Sequence, residues 1–145
     1  MGDGAALADR IAERRAGVGD PGALVGELRR ALVLVPYDRG GLWTAEFGGI
    51  RWVCGFTDEA ALARFAEERA LVEGAGDASR NWEYAVFRGA RLLDEVIPAM
   101  GVPAGVAVNV ADPDGAMLFP PVVGIVPDGA AVDADADVPG GGRRL

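Results

Sequence analysis

Ala31-Leu32-Val33-Leu34-Val35-Pro36 is an unbroken apolar run rich in β-branched residues. A run of this length and kind reads as a strand buried on both faces. It leads through the turn Asp38-Arg39-Gly40-Gly41 into two alternating stretches, residues 42–47 and 50–56, separated by Gly48-Gly49. Two glycines between alternating segments predict a tight hairpin. In the first arm Trp43, Ala45 and Phe47 share one face and Thr44 and Glu46 the other. In the second arm Ile50, Trp52, Cys54 and Phe56 share a face, with Arg51 opposite. Arg51 is thereby placed to pair with Glu46 across the strands.

Working outward from this hairpin, Thr57 is the expected N-cap of a helix, with Asp58 and Glu59 in the first turn where the helix dipole favours acid. That helix is expected to run to about Val72, with Ala61, Leu62, Phe65, Ala66 and Val72 inward, and to end at Gly74-Ala75-Gly76-Asp77. Residues 84–87 read as a strand. Residues 90–97 read as a helix with Leu93, Val96 and Ile97 inward, kinked or stopped by Pro98. Residues 106–110 are a strand, Asp112-Pro113-Asp114-Gly115 a turn, and residues 116–119 an antiparallel return strand. Residues 122–126 suggest a short edge segment after Pro120-Pro121. Upstream, residues 4–16 form a helix with Leu7, Ile11 and Ala12 on one face. A second helix starts at Asp20-Pro21, a good cap and first position, and buries Leu24, Val25 and Leu28. The first helix has little apolar surface to bury, which leaves open whether it docks or is mobile.

The resulting layout is helices, three strands, helix, strand, helix, then two or three strands. The fold class is α/β of the α+β kind: one domain with a mixed, mainly antiparallel sheet and packed helices. The expected organisation is a helical extension over 1–22, the α/β domain over 23–127, and a disordered acidic tail over 128–145.

The 145 residues carry a net charge of −8. Such a chain repels phosphate backbones and anionic lipid surfaces, so neither nucleic acid nor membrane is the expected partner. The adjacent pairs Arg14-Arg15 and Arg29-Arg30 read as solvated helix faces. No apolar stretch approaches the roughly 18 residues of a membrane helix. The opening residues, MGDGAALADRIAERR, read neither as a secretory signal nor as a myristoylation site. The cytoplasm is the expected compartment, and the Ala, Gly, Val, Arg and Asp bias suggests a high-GC bacterium.

The missing residue types exclude whole chemistries. The chain has no His, no Lys and no Gln, and all fourteen basic residues are Arg. That removes a Ser-His-Asp device around Ser79, a phosphate-loop lysine, a Schiff base and a His/Cys zinc site. Gly17-Val18-Gly19-Asp20-Pro21-Gly22 matches G-x-G-x-x-G but follows a helix instead of a strand, so it reads as an interhelix loop. Asp133-Ala134-Asp135-Ala136-Asp137 begins like a calcium loop but continues with Val138 where Gly is needed and Arg144 where Glu is needed. Cys54, the one cysteine, lies on an apolar strand face and reads as a buried thiol. No enzyme activity and no cofactor are expected.

The tryptophans remain. Trp is enriched at binding hot spots. Trp43 and Trp52 lie on inward stripes, whereas Trp82, between Asn81 and Glu83, is the best placed for exposure. The candidate partner-binding residues are Trp82, Tyr84, Trp43 and Arg51, for a protein partner or for a second copy in a homodimer. Two other readings stay open. One is a small-ligand sensor or carboxylate enzyme using Arg51, Glu46 or Asn109 around a pocket. The other is a secretion-associated adaptor.

Leu32-Val33-Leu34-Val35-Pro36, then Cys54-Gly55-Phe56-Thr57-Asp58, then Gly105-Val106-Ala107-Val108-Asn109 together resemble the SseB-type family, named for enhanced serine sensitivity. The similarity spans about residues 24 to 120 and rests on short structural motifs. Val110 stands where the family often has Pro. The resemblance implies a compact α/β domain with a regulatory or interaction-mediating role and carries no catalytic residues to transfer.

Overall fold

A computed structural model of the chain describes residues 2–38, 41–73 and 83–133. Helices α1 (Gly2–Arg15) and α2 (Pro21–Arg30) lead into strand β1 (Leu32–Asp38). Two short strands follow, β2 (Gly41–Leu42) and β3 (Thr44–Phe47), then β4 (Ile50–Gly55) and helix α3 (Glu59–Glu73). Strand β5 (Tyr84–Arg88) passes directly into helix α4 (89–99), and β6 (Ala104–Val108) and β7 (Met117–Phe119) complete the sheets. The fold is α+β.

Two sheets share β1's neighbourhood. A three-stranded antiparallel sheet has the order β2-β1-β5. A four-stranded mixed sheet has the order β3-β4-β6-β7, with β4 and β6 parallel and the other pairs antiparallel. They meet where Leu34 and Phe56 exchange two backbone hydrogen bonds of 2.8 Å. The expected single strand over 42–47 is broken at Trp43. Its N–H donates to the Pro36 carbonyl at 2.8 Å while its own carbonyl accepts from Cys54 N–H at 3.3 Å. Trp43 therefore hands the chain from one sheet to the other. The hairpin reading holds: Gly48 and Gly49 take φ of 65° and 80°, the left-handed pair that a two-residue turn of matching twist requires.

Strand alternation sorts the core into two layers. Val33, Val35, Val53, Val106 and Val108 face α1, α2 and α4, packing with Leu7, Ile11, Leu28, Leu93 and Ile97. Leu34, Cys54 and Phe56 face the other way, against Ala61, Leu62 and Phe65 of α3. Helices thus cover both faces, which is why β1 reads as an unbroken apolar run. Leu32, at its start, is the exception at 41% exposed.

Helix α1 is docked: Leu7 and Ile11 are completely buried in the main core, and Arg15 donates to the carbonyls of Pro113 and Ala116. Two large side chains one helical turn apart suffice where a cavity is shaped for them. Several expectations need correction. Within the tail expected from 128 onward, the described residues 128–133 are packed. Residues 128–130 form a 3₁₀ turn, and Val132 N–H reaches the Pro121 carbonyl at 2.8 Å. The expected edge segment over 122–126 is a turn closed by a single Val123–Val126 bridge. The cap of α3 is Asp58, whose Oδ1 accepts from Ala61 N–H at 2.8 Å, one residue later than expected. Helix α4 does not stop at Pro98. Its turn over Leu92–Val96 widens to π geometry, with Ile97 N–H donating to the Leu92 carbonyl. The wider spacing lets the proline ring, which has no N–H to give, continue the helix to Ala99. Trp82, the expected helix end at 74–77 and the chain from 134 onward lie outside the described residues.

Candidate binding groove

Helix α3 covers only part of the second sheet face. Phe65 packs on Phe56 with ring centroids 5.0 Å apart and meets Trp43 edge-on at 5.5 Å and 79°. Beyond Phe65 none of the described residues covers the sheet face. A groove of about 260 Å³ opens there between α3 and strands β3, β4, β6 and β7. Its lining includes Trp43 and Phe65, Phe47 and Leu118 from the two outer strands of the sheet, and the buried Trp52 as the floor. Alternation explains the set: Trp43, just before β3, Ala45 and Phe47 within it, and Trp52 and Cys54 of β4 point to the same side.

The floor is fixed by two contacts. Trp52 Nε1–H donates to the Phe47 carbonyl at 3.1 Å. Its six-membered ring lies over Gly105, where a Cβ would come within 2.8 Å of the indole and 2.5 Å of the Phe119 carbonyl oxygen. Gly105 is thus the residue that lets the indole lie flat on β6. Trp52 is 7% exposed, whereas Phe47 and Leu118 stand 70% and 48% exposed at the rim. Large apolar residues left in water around a recess with ordered aromatics are unusual in a surface that meets only solvent.

Among the described residues lining the groove, Arg69 alone carries charge. It lies one helical turn after Phe65, and its guanidinium carbon sits 5.1 Å from the Trp43 ring centroid, in cation–π range. Cys54 also borders the groove. Burial pushes its thiol up to about 11, against the opposing pull of the Arg69 charge, so it is neutral at physiological pH and no nucleophile.

The surrounding polar contacts hold the groove's frame. Asn109, at φ 54°, accepts from Thr57 N–H through Oδ1 and donates to Thr57 Oγ1 through Nδ2, both at 3.1 Å. Arg64 of α3 grips Asp112 through two bonds of 2.5 and 2.9 Å. These ties set α3 against the loop that carries Val110 to the groove's edge. Tyr84 O–H donates to Glu59 at 2.5 Å, and the carboxylate holds the phenol's proton on, raising its pKa.

Of the residues singled out in the sequence, Trp43 is in the groove. Tyr84 steadies the start of α3 and does not line it. Arg51 lies on the opposite sheet face, paired with Glu46 at 3.3 Å and Thr44 at 3.2 Å, as the register predicts. Arg51, Glu46 and Asn109 therefore do not converge on a common pocket. The sequence reading missed Phe47, Trp52, Leu118 and Arg69 as a set. The signal was present in the long apolar stripe of the hairpin and in the i,i+4 spacing of Phe65 and Arg69.

A larger hollow, about 380 Å³, lies between the end of α4 and residues 129–132. Its lining contains no aromatic and no ionisable side chain among the described residues, so its chemistry is poorer despite its size. Among the described residues no helix is long and apolar enough to cross a membrane, and no three Cys, Asp or Glu side chains cluster to hold a metal ion. No family model, curated protein or solved structure matches this chain.

Proposed function

We propose that this chain is a non-catalytic protein-interaction domain of the SseB-like kind, working in the bacterial cytoplasm, and that a partner protein docks on the groove floored by Trp52. The observation that carries this reading is the pre-formed aromatic recess flanked by exposed Phe47 and Leu118. Rigid aromatic anchors with an apolar surround are what protein interfaces use at their centre. The neutral Cys54, in a described lining that is otherwise mostly apolar and aromatic, fits binding better than chemistry.

A small-ligand sensor is the second reading, favoured by the concavity alone. At about 260 Å³ the recess falls below the roughly 300–1,000 Å³ of small-molecule sites. Among the described residues its lining is mostly apolar, so it suits inserted side chains better.

The test is photo-crosslinking in host lysate from a benzoyl-phenylalanine placed at Phe47, compared with one at Arg91 on exposed α4. The expected result is a discrete protein adduct from position 47 alone, lost on Leu118→Asp. An adduct with a second copy would make the partner the chain itself. Identical adducts from both positions, or none, would overturn the reading.

A further inference from the structure

We infer that this chain forms a symmetric homodimer in which β3 pairs antiparallel with β3 of a second copy, about a two-fold axis at Ala45. The site is the sheet edge beside the groove, so the inference stands apart from what docks in the groove. Among the described residues β3 has β4 as its only sheet neighbour. The far edge of the same sheet is blunted, because β7 has three residues and runs straight into Pro120-Pro121. β3, reading Thr44-Ala45-Glu46-Phe47, carries neither the proline nor the lysine that guards an edge.

Three properties of β3 fit a copy of itself. The first is backbone parity. Cys54 N–H bonds the Trp43 carbonyl, so residues 43, 45 and 47 turn their backbone groups toward β4, while Thr44 and Glu46 turn theirs to the open edge. Setting Thr44 opposite the second copy's Glu46, and Glu46 opposite its Thr44, pairs every one of those outward groups. The second is side-chain parity. The same register sets Ala45 opposite Ala45, a pair whose Cα atoms approach to about 4.5 Å and whose small, exposed side chains leave room. Phe47, 70% exposed, then lies diagonally over the second copy's Ala45. The third is charge. On the other face Arg51 reaches both Glu46, at 3.3 Å, and Thr44, at 3.2 Å. Thr44 faces the second copy's Glu46, so each Arg51 is brought up to the other chain's carboxylate, and two arginines and two glutamates cluster at the axis. That cluster is neutral. The overall charge of −8 opposes association, but its reach is cut to about 8 Å at physiological salt. A pairing of four residues a side is small, so the dimer is weak and forms in the upper micromolar range.

Sedimentation equilibrium of the full chain, from micromolar to millimolar, tests this. A reversible dimer is expected. Glu46→Arg should weaken it about tenfold, because four arginines then meet at the axis, and the swap Glu46→Arg with Arg51→Glu should restore it. Thiol crosslinking reads the register. In a Cys54→Val background, Ala45→Cys is expected to form an intermolecular disulfide on mild oxidation, since the axis pair has the Cα spacing that a disulfide needs. Leu118→Cys, exposed on β7, is expected not to. Thr44→Cys mixed with Glu46→Cys should crosslink far more than either variant alone. Melting curves establish that each variant is folded. A monomer at every concentration, a dimer that Glu46→Arg leaves intact, a swap that restores nothing, or equal crosslinking of Ala45→Cys and Leu118→Cys would overturn the inference. The groove reading is judged separately, at lysate dilution, where the pair is dissociated.

Discussion

Asn109 and Thr57 close a two-bond ring across 52 residues of sequence: the asparagine oxygen accepts from the threonine N–H and its amide donates to the threonine hydroxyl, each at 3.1 Å. The ring joins the end of β6 to the start of α3, and it sits at the junction where the sheet gives way to the groove. Asn109 also adopts φ 54°, a conformation that Asn tolerates better than most side chains.

Replacing Asn109 by Ala removes both bonds, leaves two Thr57 groups buried and unsatisfied, and puts a Cβ without compensation in the left-handed region. The expected cost is about 2–4 kcal/mol. Asn109→Gly keeps the backbone freedom and should lose less. Urea denaturation of the two variants separates the terms; equal losses would mean that the backbone conformation contributes nothing.

Cys54 predicts a pH dependence in the alkaline range. Its thiol holds its proton more tightly when folded, at about 11 against an ordinary 9.0. The stability this represents is fully present below about pH 9 and is lost as pH rises through 11, at roughly 1.4 kcal/mol per unit. Cys54→Val should flatten that part of the stability profile between pH 8.5 and 10.5 by about 1–2 kcal/mol. An unchanged slope would show that the thiol is less buried than described. Native Cys54 should also alkylate far more slowly at pH 8 than in urea.

Arg29 and Asp94 tie α2 to α4 through two bonds, of 3.2 and 2.5 Å, and the guanidinium holds the carboxyl below its usual range. The contribution is present above the ordinary carboxylate pKa and is lost as pH falls through the depressed one. Both side chains are more than a third exposed, so solvent screening keeps the pair small, about 0.5–1 kcal/mol. A double-mutant cycle with Arg29→Ala and Asp94→Ala at pH 7 and pH 2.5 measures it, with the coupling expected to be smaller at the lower pH.

Leu7→Ala and Ile11→Ala probe whether α1 belongs to the folding unit. Both side chains are completely buried, so each truncation is expected to cost about 2–5 kcal/mol. Losses under 0.5 kcal/mol in thermal unfolding would mean that α1 is a loose extension.

Helix α1, whose docking the sequence left open, shows where legibility ended. Patterns fixed by the local period came through: the apolar run of β1, the Gly48-Gly49 hairpin, the Glu46–Arg51 register, the inward face of α3 and the Asp112–Gly115 turn. What depended on distant parts did not. Two large apolar side chains in a 14-residue helix look sparse until α2, β1 and α4 enclose them. Trp43 alternates in phase with Ala45 and Phe47, yet it ends one ladder and starts another because β1 and β4 lie on either side of it. The groove was half legible. Alternation put Trp43, Phe47 and Trp52 on one face, but only the position of α3 decides which part of that face stays open. Pro98 was read as kinking or stopping the helix; the π turn before it relaxes the clash, so the helix is distorted there and ends one residue later, at Ala99.

Gly105→Ala tests the groove floor itself. The new Cβ would meet the Phe119 carbonyl at 2.5 Å and the Trp52 ring at 2.8 Å, so either β7 or the indole must move. The backbone of β7 is held by its ladder with β6, so the indole is the part that gives, and with it the Nε1 bond to the Phe47 carbonyl. Overpacking of this kind costs about 1–3 kcal/mol. In a Trp43→Phe, Trp82→Phe background, Trp52 emission should shift to longer wavelength as the ring lifts toward water. Binding at the groove should fall by more than the stability loss explains. Val106→Ala is the matched control: it removes buried surface from the opposite face of the same strand, costs a comparable amount, and should leave emission and groove binding unchanged. If the two variants weaken binding equally, Trp52 is serving the core and not the groove.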